Sequence, residues 1–259
     1  MRMPALFIGH GSPMNAIADN AYTRALAALG PRLPRPRAVL CISAHWMTEG
    51  TWITHQAQPR TIHDFYGFPK ALSEIQYPAP GDPALAEAIR AQITDVRITL
   101  DDEQWGFDHG AWSVLRHVFP AADVPVLQLS LAMDRPADHH FAAGRALAPL
   151  RDQGVLILGS GNIVHNLRLI TWDENAAPYP WALAFDTWVK RHLEEKNAAA
   201  LVNDALASEE GRLSIPTPEH WYPFLYVLGA ASGEEAETVF DGLQNASISM
   251  RSVAFGLRG

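Results

Sequence analysis

The chain has 259 residues, 48% of them hydrophobic and 19% charged, with a formal net charge of −8. That composition excludes a disordered or fibrous chain and supplies enough apolar residues for a sizeable core. Its Lys and Arg residues are scattered among acidic neighbours and give no nucleic-acid footprint, and no apolar run approaches the ~20 residues of a membrane span. Ala5–Ile8 is too short for a signal-peptide core, so a cytoplasmic location is expected. The single cysteine, Cys41, lies in the apolar run AVLCISA and reads as a small buried hydrophobe.

Short apolar runs alternate with helical patterns along the chain. Ala5–Ile8, Val39–Ser43, Val96–Leu100, Val124–Leu131 and Val155–Leu158 predict strands, several continuous enough to be covered on both faces. Asn20–Leu29, Pro83–Ile93, Trp112–Phe119, Pro136–Gln153, Pro180–Lys196 and Trp221–Ala230 carry apolar residues at three- and four-residue spacing and predict helices. Pro83, Pro136 and Pro180 stand as first-turn residues. From Thr238 to Phe255 apolar and polar positions alternate, which predicts a final strand, antiparallel at an edge, with one face more exposed. Pro31–Pro36, Thr61–Pro69 and Tyr77–Pro83 read as loops packed over the sheet. The expected class is α/β, a mixed and largely parallel central sheet with helices on both faces.

Four histidines fall where a strand gives way to a loop or helix: His10 in FIGHGSP, His45 in CISAHW, His165 in ILGSGNIVHNLR and His220 in PTPEHW. Imidazoles converging from different strand ends are what a transition-metal site needs, and ligands bind at the carboxyl ends of strands in open α/β sheets. GHGSPM has neither the GxGxxG spacing nor the lysine of a phosphate loop, and no helical HxxxH pair points to a zincin-type protease. The glycines of Gly159-Ser160-Gly161-Asn162 let the backbone crowd a bound ligand, with His165 beyond them as a ligand or an acid/base. Asp108 adjoins His109, a pairing that fixes a tautomer if the fold brings the two side chains into contact. Glu219 reads either as a ligand or as a favourable first-turn carboxylate. His117 and His192 lie in helix patterns and the His139-His140 pair on a polar helix face, most of them expected in solvent. His63 sits in an aromatic loop that reads as a substrate wall or a lid.

With GHGSPM, SAHW, TIHDFYGFP, YPAPG, WGFDHGAW, GSGNIVHNLR and TPEHWYPFLYVLGA in this order, the chain resembles the DOPA-type extradiol aromatic ring-opening dioxygenases of the class III superfamily. The match runs over nearly its whole length and implies one catalytic domain over residues 1–259. By that resemblance His10 and His45 bind the metal, with a third ligand from TPEH assigned to His220 and Glu219 as the alternate. The residue matching His165 is the acid/base, and in DOPA-type members approaches the metal as a fourth ligand; His109 matches a second active-site histidine that contacts substrate or oxygen. The wider superfamily uses two histidines and a glutamate on non-haem Fe(II), so the resemblance implies Fe(II) for turnover, while a histidine-rich site also suits Zn(II).

The implied reaction inserts both atoms of O2 into a catechol such as L-DOPA by 4,5-cleavage, giving a muconic semialdehyde. Trp46, Trp105, Phe107 and the Phe65–Phe68 loop, close in sequence to the expected ligands, are expected to clamp the ring, and Arg168 to pair with a substrate carboxylate. The partners expected are a small aromatic diol and O2, with no nucleic acid and no membrane; the oligomeric state is not legible in the sequence. Two other readings of the same histidines stay open: a zinc hydrolase and a non-enzymatic binding protein on the same scaffold.

Overall fold

The structure is a computed structural model and describes residues 2–257. Ten strands are formed: β1 (Ala5–Gly9), β2 (Ala38–Thr48), β3 (Thr51–Thr54), β4 (Ile98–Asp101), β5 (Val126–Ala132), β6 (Val155–Gly161), β7 (Ala236–Phe240), β8 (Leu243–Gln244), β9 (Ile248–Ser249) and β10 (Ser252–Phe255). Eight make one sheet in the order β4-β3-β5-β2-β6-β1-β10-β7, while β8 and β9 pair separately. The central strands β5, β2, β6 and β1 are mutually parallel. At one edge β10 and β7 run antiparallel; at the other β3 opposes β5 and pairs in parallel with β4. This is the mixed, largely parallel α/β sheet expected.

Both faces of the sheet are covered, and the alternation along β1 shows how. Ala5 and Phe7 enter one apolar layer with Leu40, Ile42, Leu129 and Phe224. Leu6 and Ile8 enter the other with Val39, Cys41, Leu26 and Trp112. Period-two alternation sends neighbouring side chains to opposite faces, so a strand apolar at every position must be covered twice. The helices that do so are α1 (Ala21–Leu29), α2 (Lys70–Ser73), α3 (Pro83–Gln92), α4 (His109–Val118), α5 (Ala137–Leu147), α6 (Pro180–Glu194), α7 (Ala198–Asn203), α8 (Glu209–Ser214) and α9 (Tyr222–Ala230). No helix among the described residues is long and apolar enough to cross a membrane.

The structure departs from the sequence expectations at particular places. The strand expected over Val96–Leu100 starts at Ile98, and β3 and β7, both short, carried too weak a pattern to be predicted. The tail is not one strand: it divides into the end of β7, the β8–β9 pair and β10. Only its first part, the end of β7, is a partly exposed antiparallel edge; β10 is inserted between β1 and β7 and is buried throughout. Arg251 is buried beside it and donates through Nε to Asp186 of α6 at 3.1 Å, the charge compensated where water cannot reach. The expected helix over Pro136–Gln153 is α5 followed by a 3-10 turn from Ala148 to Gln153, and Pro149 falls at its start. α4 begins three residues earlier than its apolar pattern, at His109, because Asp108 caps it by accepting from the Ala111 amide. His140 is fully buried against Tyr222, His192 nearly so against Trp188, and His117 bonds the Asn15 carbonyl, so these are not solvated histidines.

Candidate active site

The carboxyl ends of β1, β2 and β6 open onto one crevice. β1 delivers His10 immediately after Gly9, and β2, whose register shifts between Ile42 and Met47, turns His45 into the same space. α4 starts with His109 there. The loop after β6 brings His165, whose amide donates to Ser214 O at the end of α8 and which forms an isolated bridge to Ile248. A 3-10 turn at Pro218–His220 supplies His220. One ring nitrogen each from His10, His45 and His109 lie within 4.8 Å of one another, and one donor atom each from His165, Glu219 and His220 do likewise. His10 and His220 rings are 5.3 Å apart between centroids and His45 and His220 rings 5.2 Å, so the two groups form one cluster.

Backbone close approach holds this cluster together. A Cβ on Gly161 would stand 2.3 Å from the His220 carbonyl oxygen, which itself accepts from the Asn162 amide at 3.0 Å. Asn162 also donates from Nδ2 to Ser249 O at 2.8 Å and accepts from the Gly11 amide at 3.3 Å, tying three site segments together. The glycines of the GSGN segment thus admit the chain bearing His220, not a ligand: Gly159 in the same way faces Pro223 O at 2.5 Å.

Hydrogen bonds fix which face each imidazole presents. The Ser160 hydroxyl donates to Gly110 O at 2.6 Å, so it must accept from His10 Nδ1–H at 2.9 Å, leaving His10 Nε2 as a lone pair. His45 Nε2 lies 3.1 Å from that nitrogen, close to the edge of about 3.3 Å that two nitrogens span on a tetrahedral zinc-type ion. Glu219 accepts from the Thr217 hydroxyl at 2.9 Å and from His220 Nδ1–H at 3.1 Å. His220 Nε2 is buried with no hydrogen-bond partner. A buried, unpartnered lone pair beside two others is costly unless something accepts it, and a divalent metal fits.

The electrostatics agree with that fit. Burial first, then the neighbouring imidazoles, hold His10 and His220 well below the usual histidine range. His45 is also depressed, by burial and then by His109, against the opposing pull of Asp64. His165 is lowered to about 4 by burial and by His109. All four are neutral at pH 7, the form that ligates a metal or accepts a proton. Burial alone pushes Asp64 up, but hydrogen bonding with His109 and the nearby His109 and His45 outweigh it and hold the carboxyl at about 2.

Three sequence expectations are corrected here. Asp108 does not touch the His109 ring: its carboxylate accepts from Ser43 Oγ at 2.6 Å, Gln128 Nε2 at 2.7 Å and Trp105 Nε1 at 3.3 Å, buried behind the site. The carboxylate on His109 is Asp64, from the aromatic loop, and its neighbour His63 instead bonds the Ile75 carbonyl at 2.9 Å. Of the expected ring clamp only Phe65 reaches a site histidine, edge-on to His109 at 5.8 Å. Trp46 and Trp105 stack on one another in the lining of an open pocket of about 460 Å³ that includes no site histidine, and Phe107 is core, packed on Tyr77. Tyr66 and Arg168 are exposed. Sequence reasoning missed Asp64 and Ser160, although both lie within the quoted motifs.

A largely parallel α/β sheet that gathers imidazoles at three strand ends can hold a divalent metal. The chain belongs to the family described as the catalytic LigB subunit of aromatic ring-opening dioxygenase, whose model matches residues 4–256, and it is an extradiol-type dioxygenase. It is 51% identical to a protein of Escherichia coli K12 named 4,5-DOPA dioxygenase extradiol, over 98% of this chain and 95% of that one. A Beta vulgaris protein of the same name is 36% identical over 96% and 95%. A crystal structure of an uncharacterized protein from Escherichia coli K12 is similar with a TM-score of 0.86 and 47% identity, covering 98% of this chain and 100% of that one.

Proposed function

We propose that this enzyme, as one catalytic domain, opens the ring of a catechol such as L-DOPA by 4,5-cleavage with both atoms of O2, giving a muconic semialdehyde. The observation that carries the reading is the buried His220 Nε2 without a partner, on a ring whose centroid lies 5.3 Å from that of His10 and 5.2 Å from that of His45. In this reading His10, His45 and His220 hold the metal, and Glu219 orients His220 instead of ligating. Bound there, Fe(II) supplies open positions for the diol and O2 and lowers the catechol pKa.

The remaining work falls to the chain. His165 is stacked on His220 at 3.5 Å and 11°, neutral, and so placed to accept the second catechol proton on a ring nitrogen. His109, 3.9 Å from His45 between ring centroids, contacts substrate or oxygen in this reading. Phe65, packed on His109, excludes water from one flank. The DOPA preference rests on the named relatives. A cytoplasmic location belongs to the same reading, supported by the free buried thiol of Cys41.

Metal-free protein reconstituted anaerobically with Fe(II), and separately with Zn(II), should be given L-DOPA or catechol and then oxygen. Iron-dependent O2 uptake with a new yellow product is expected. Silence with iron across a catechol panel, with ester or amide hydrolysis under zinc, would overturn the reading in favour of a hydrolase, which an all-imidazole donor set also suits.

A further inference from the structure

The loop after β3 contributes one side chain to the crevice, and that side chain faces two histidines at once. Asp64 Oδ2 lies 2.9 Å from His109 Nδ1 and 3.4 Å from His45 Nδ1, while Asp64 Oδ1 accepts from the His109 backbone amide at 2.9 Å. The Asp64 and His45 side chains each keep about a fifth of their surface open, so the carboxylate sits at the mouth of the site. No lysine or arginine pairs with Asp64 among the described residues; its polar contacts are these two rings and one amide.

We propose that Asp64 is the positioning residue that sets the tautomer of both His45 and His109, so that one carboxylate aligns a metal ligand and the substrate-side histidine together. The inference rests on the reading of His45 as a ligand. An ionised carboxylate accepts hydrogen bonds only, so His109 donates Nδ1–H to it at 2.9 Å, and at 3.4 Å its charge favours a hydrogen over a lone pair on His45 Nδ1. Each then presents an unprotonated Nε2 to the crevice: one toward His10, the other toward the space a substrate would occupy. Without Asp64, His45 has a competing arrangement, donating Nε2–H to His10 Nε2 at 3.1 Å, which would block the metal. Asp64 adjoins Phe65, which packs on His109, so the loop that walls the site also fixes its proton positions.

Asp64→Asn discriminates this role from mere loop anchoring. The amide oxygen still accepts from the His109 backbone, but its NH2 group now faces two Nδ1 atoms that also carry hydrogens, and one ring must change tautomer. The test is carried out on the Zn(II)-loaded full chain, which is diamagnetic, by long-range 1H–15N correlation of the histidine rings, together with Zn(II) affinity from competition with a chromogenic chelator. In the parent, His109 should show its proton on Nδ1. Asp64→Asn should move the proton of His109 to Nε2 or lower Zn(II) affinity 10–100-fold, and Asp64→Ala should lose a similar amount of affinity. A parent His109 protonated on Nε2, or an Asp64→Asn protein with parental tautomers and parental Zn(II) affinity, would overturn the proposal. Neither readout needs ring cleavage, so failure of the catechol reading would leave Asp64's role standing, and the converse outcome would leave parental turnover intact.

Discussion

Gly161→Ala tests whether the site depends on the close approach of β6 and the His220 turn. The added Cβ would meet the His220 carbonyl oxygen at 2.3 Å, when ordinary contact begins near 3.4 Å, so one of the two backbones must retreat by about 1 Å. Neither moves freely. Gly161 pairs with Gly9 in the parallel ladder, and the His220 carbonyl is held by the Asn162 amide. Overpacking of this kind costs about 1–3 kcal/mol, which lowers Tm by roughly 2–10 °C in a chain of this size. The functional effect should be larger than the stability effect, because a donor displaced by ~1 Å no longer converges with His10 and His45. Zn(II) affinity measured by chelator competition should fall at least about tenfold, in line with losses on disturbing a ligand's support. Gly50→Ala is the control: its φ of +68° makes alanine strained by about 1–2 kcal/mol, but nothing lies within 4 Å of the new Cβ. It should lose stability and keep its metal. Parental Zn(II) affinity and Tm in Gly161→Ala would refute the argument.

The His140 ring is buried with neither nitrogen bonded, 3.8 Å from the Tyr222 ring, and burial followed by the charge of His139 lowers its pKa to about 3. Between the ordinary histidine value and about 3 the unfolded chain binds a proton that the folded chain refuses, so stability falls as pH drops through that window, at about 1.4 kcal/mol per unit for this group. His140→Phe should flatten that decline in urea titrations between pH 7 and 4.5; parallel slopes in parent and variant would count against it. His165→Ala should lower ring-opening turnover about 10²–10⁴-fold, and full turnover in the variant would remove His165 from proton transfer. If Zn(II) affinity falls together with turnover, His165 is a fourth ligand as well.

The fold was legible where burial is symmetrical. Ala5–Ile8, Val39–Ile42 and Val155–Leu158 are apolar at every position because both sheet faces are covered, and each is part of a strand in the structure. β3 escaped because it is only four residues long and two of its buried positions are threonines, and β7 because it is short and partly exposed, so continuous apolarity marks neither. His140 escaped for the opposite reason: its neighbours Asp138 and His139 announce a polar face, and only the packing of α5 against α9 buries it. Of the four histidines expected at strand exits, His10 directly follows β1 and His165 lies in the loop after β6, whereas His45 stands inside the long β2 and His220 in a 3-10 turn after α8; they were legible because each is a polar residue set against an apolar run. Their partners were not. Asp64 is 45 residues from His109 and Ser160 is 150 residues from His10, and no local pattern reports a hydrogen bond across that separation. Asp108 misled for the same reason: adjacent residues at a helix start point apart, and the cap turned its carboxylate inward.

The support of the site follows a common rule from different sources. His10 takes its acceptor from β6 and His220 from its own neighbour Glu219, while the carboxylate that faces His45 Nδ1 at 3.4 Å comes from the loop after β3. Segments far apart in the chain must therefore dock before these imidazoles can gather in one cluster. Each of their Nε2 lone pairs is in surroundings that disfavour protonation, and with both hydrogens on Nδ1 the His10 and His45 Nε2 atoms face one another at 3.1 Å with no hydrogen between them. His220 Nε2 is likewise buried without a hydrogen-bond partner. A cation bound by all three would satisfy every orphaned donor set at once, so metal should raise Tm in the parent more than in His220→Ala, where the unpaired nitrogen and the third ligand disappear together. Equal stabilisation of the two proteins by saturating Zn(II) would mean that His220 is not a ligand and that its buried nitrogen has some other purpose.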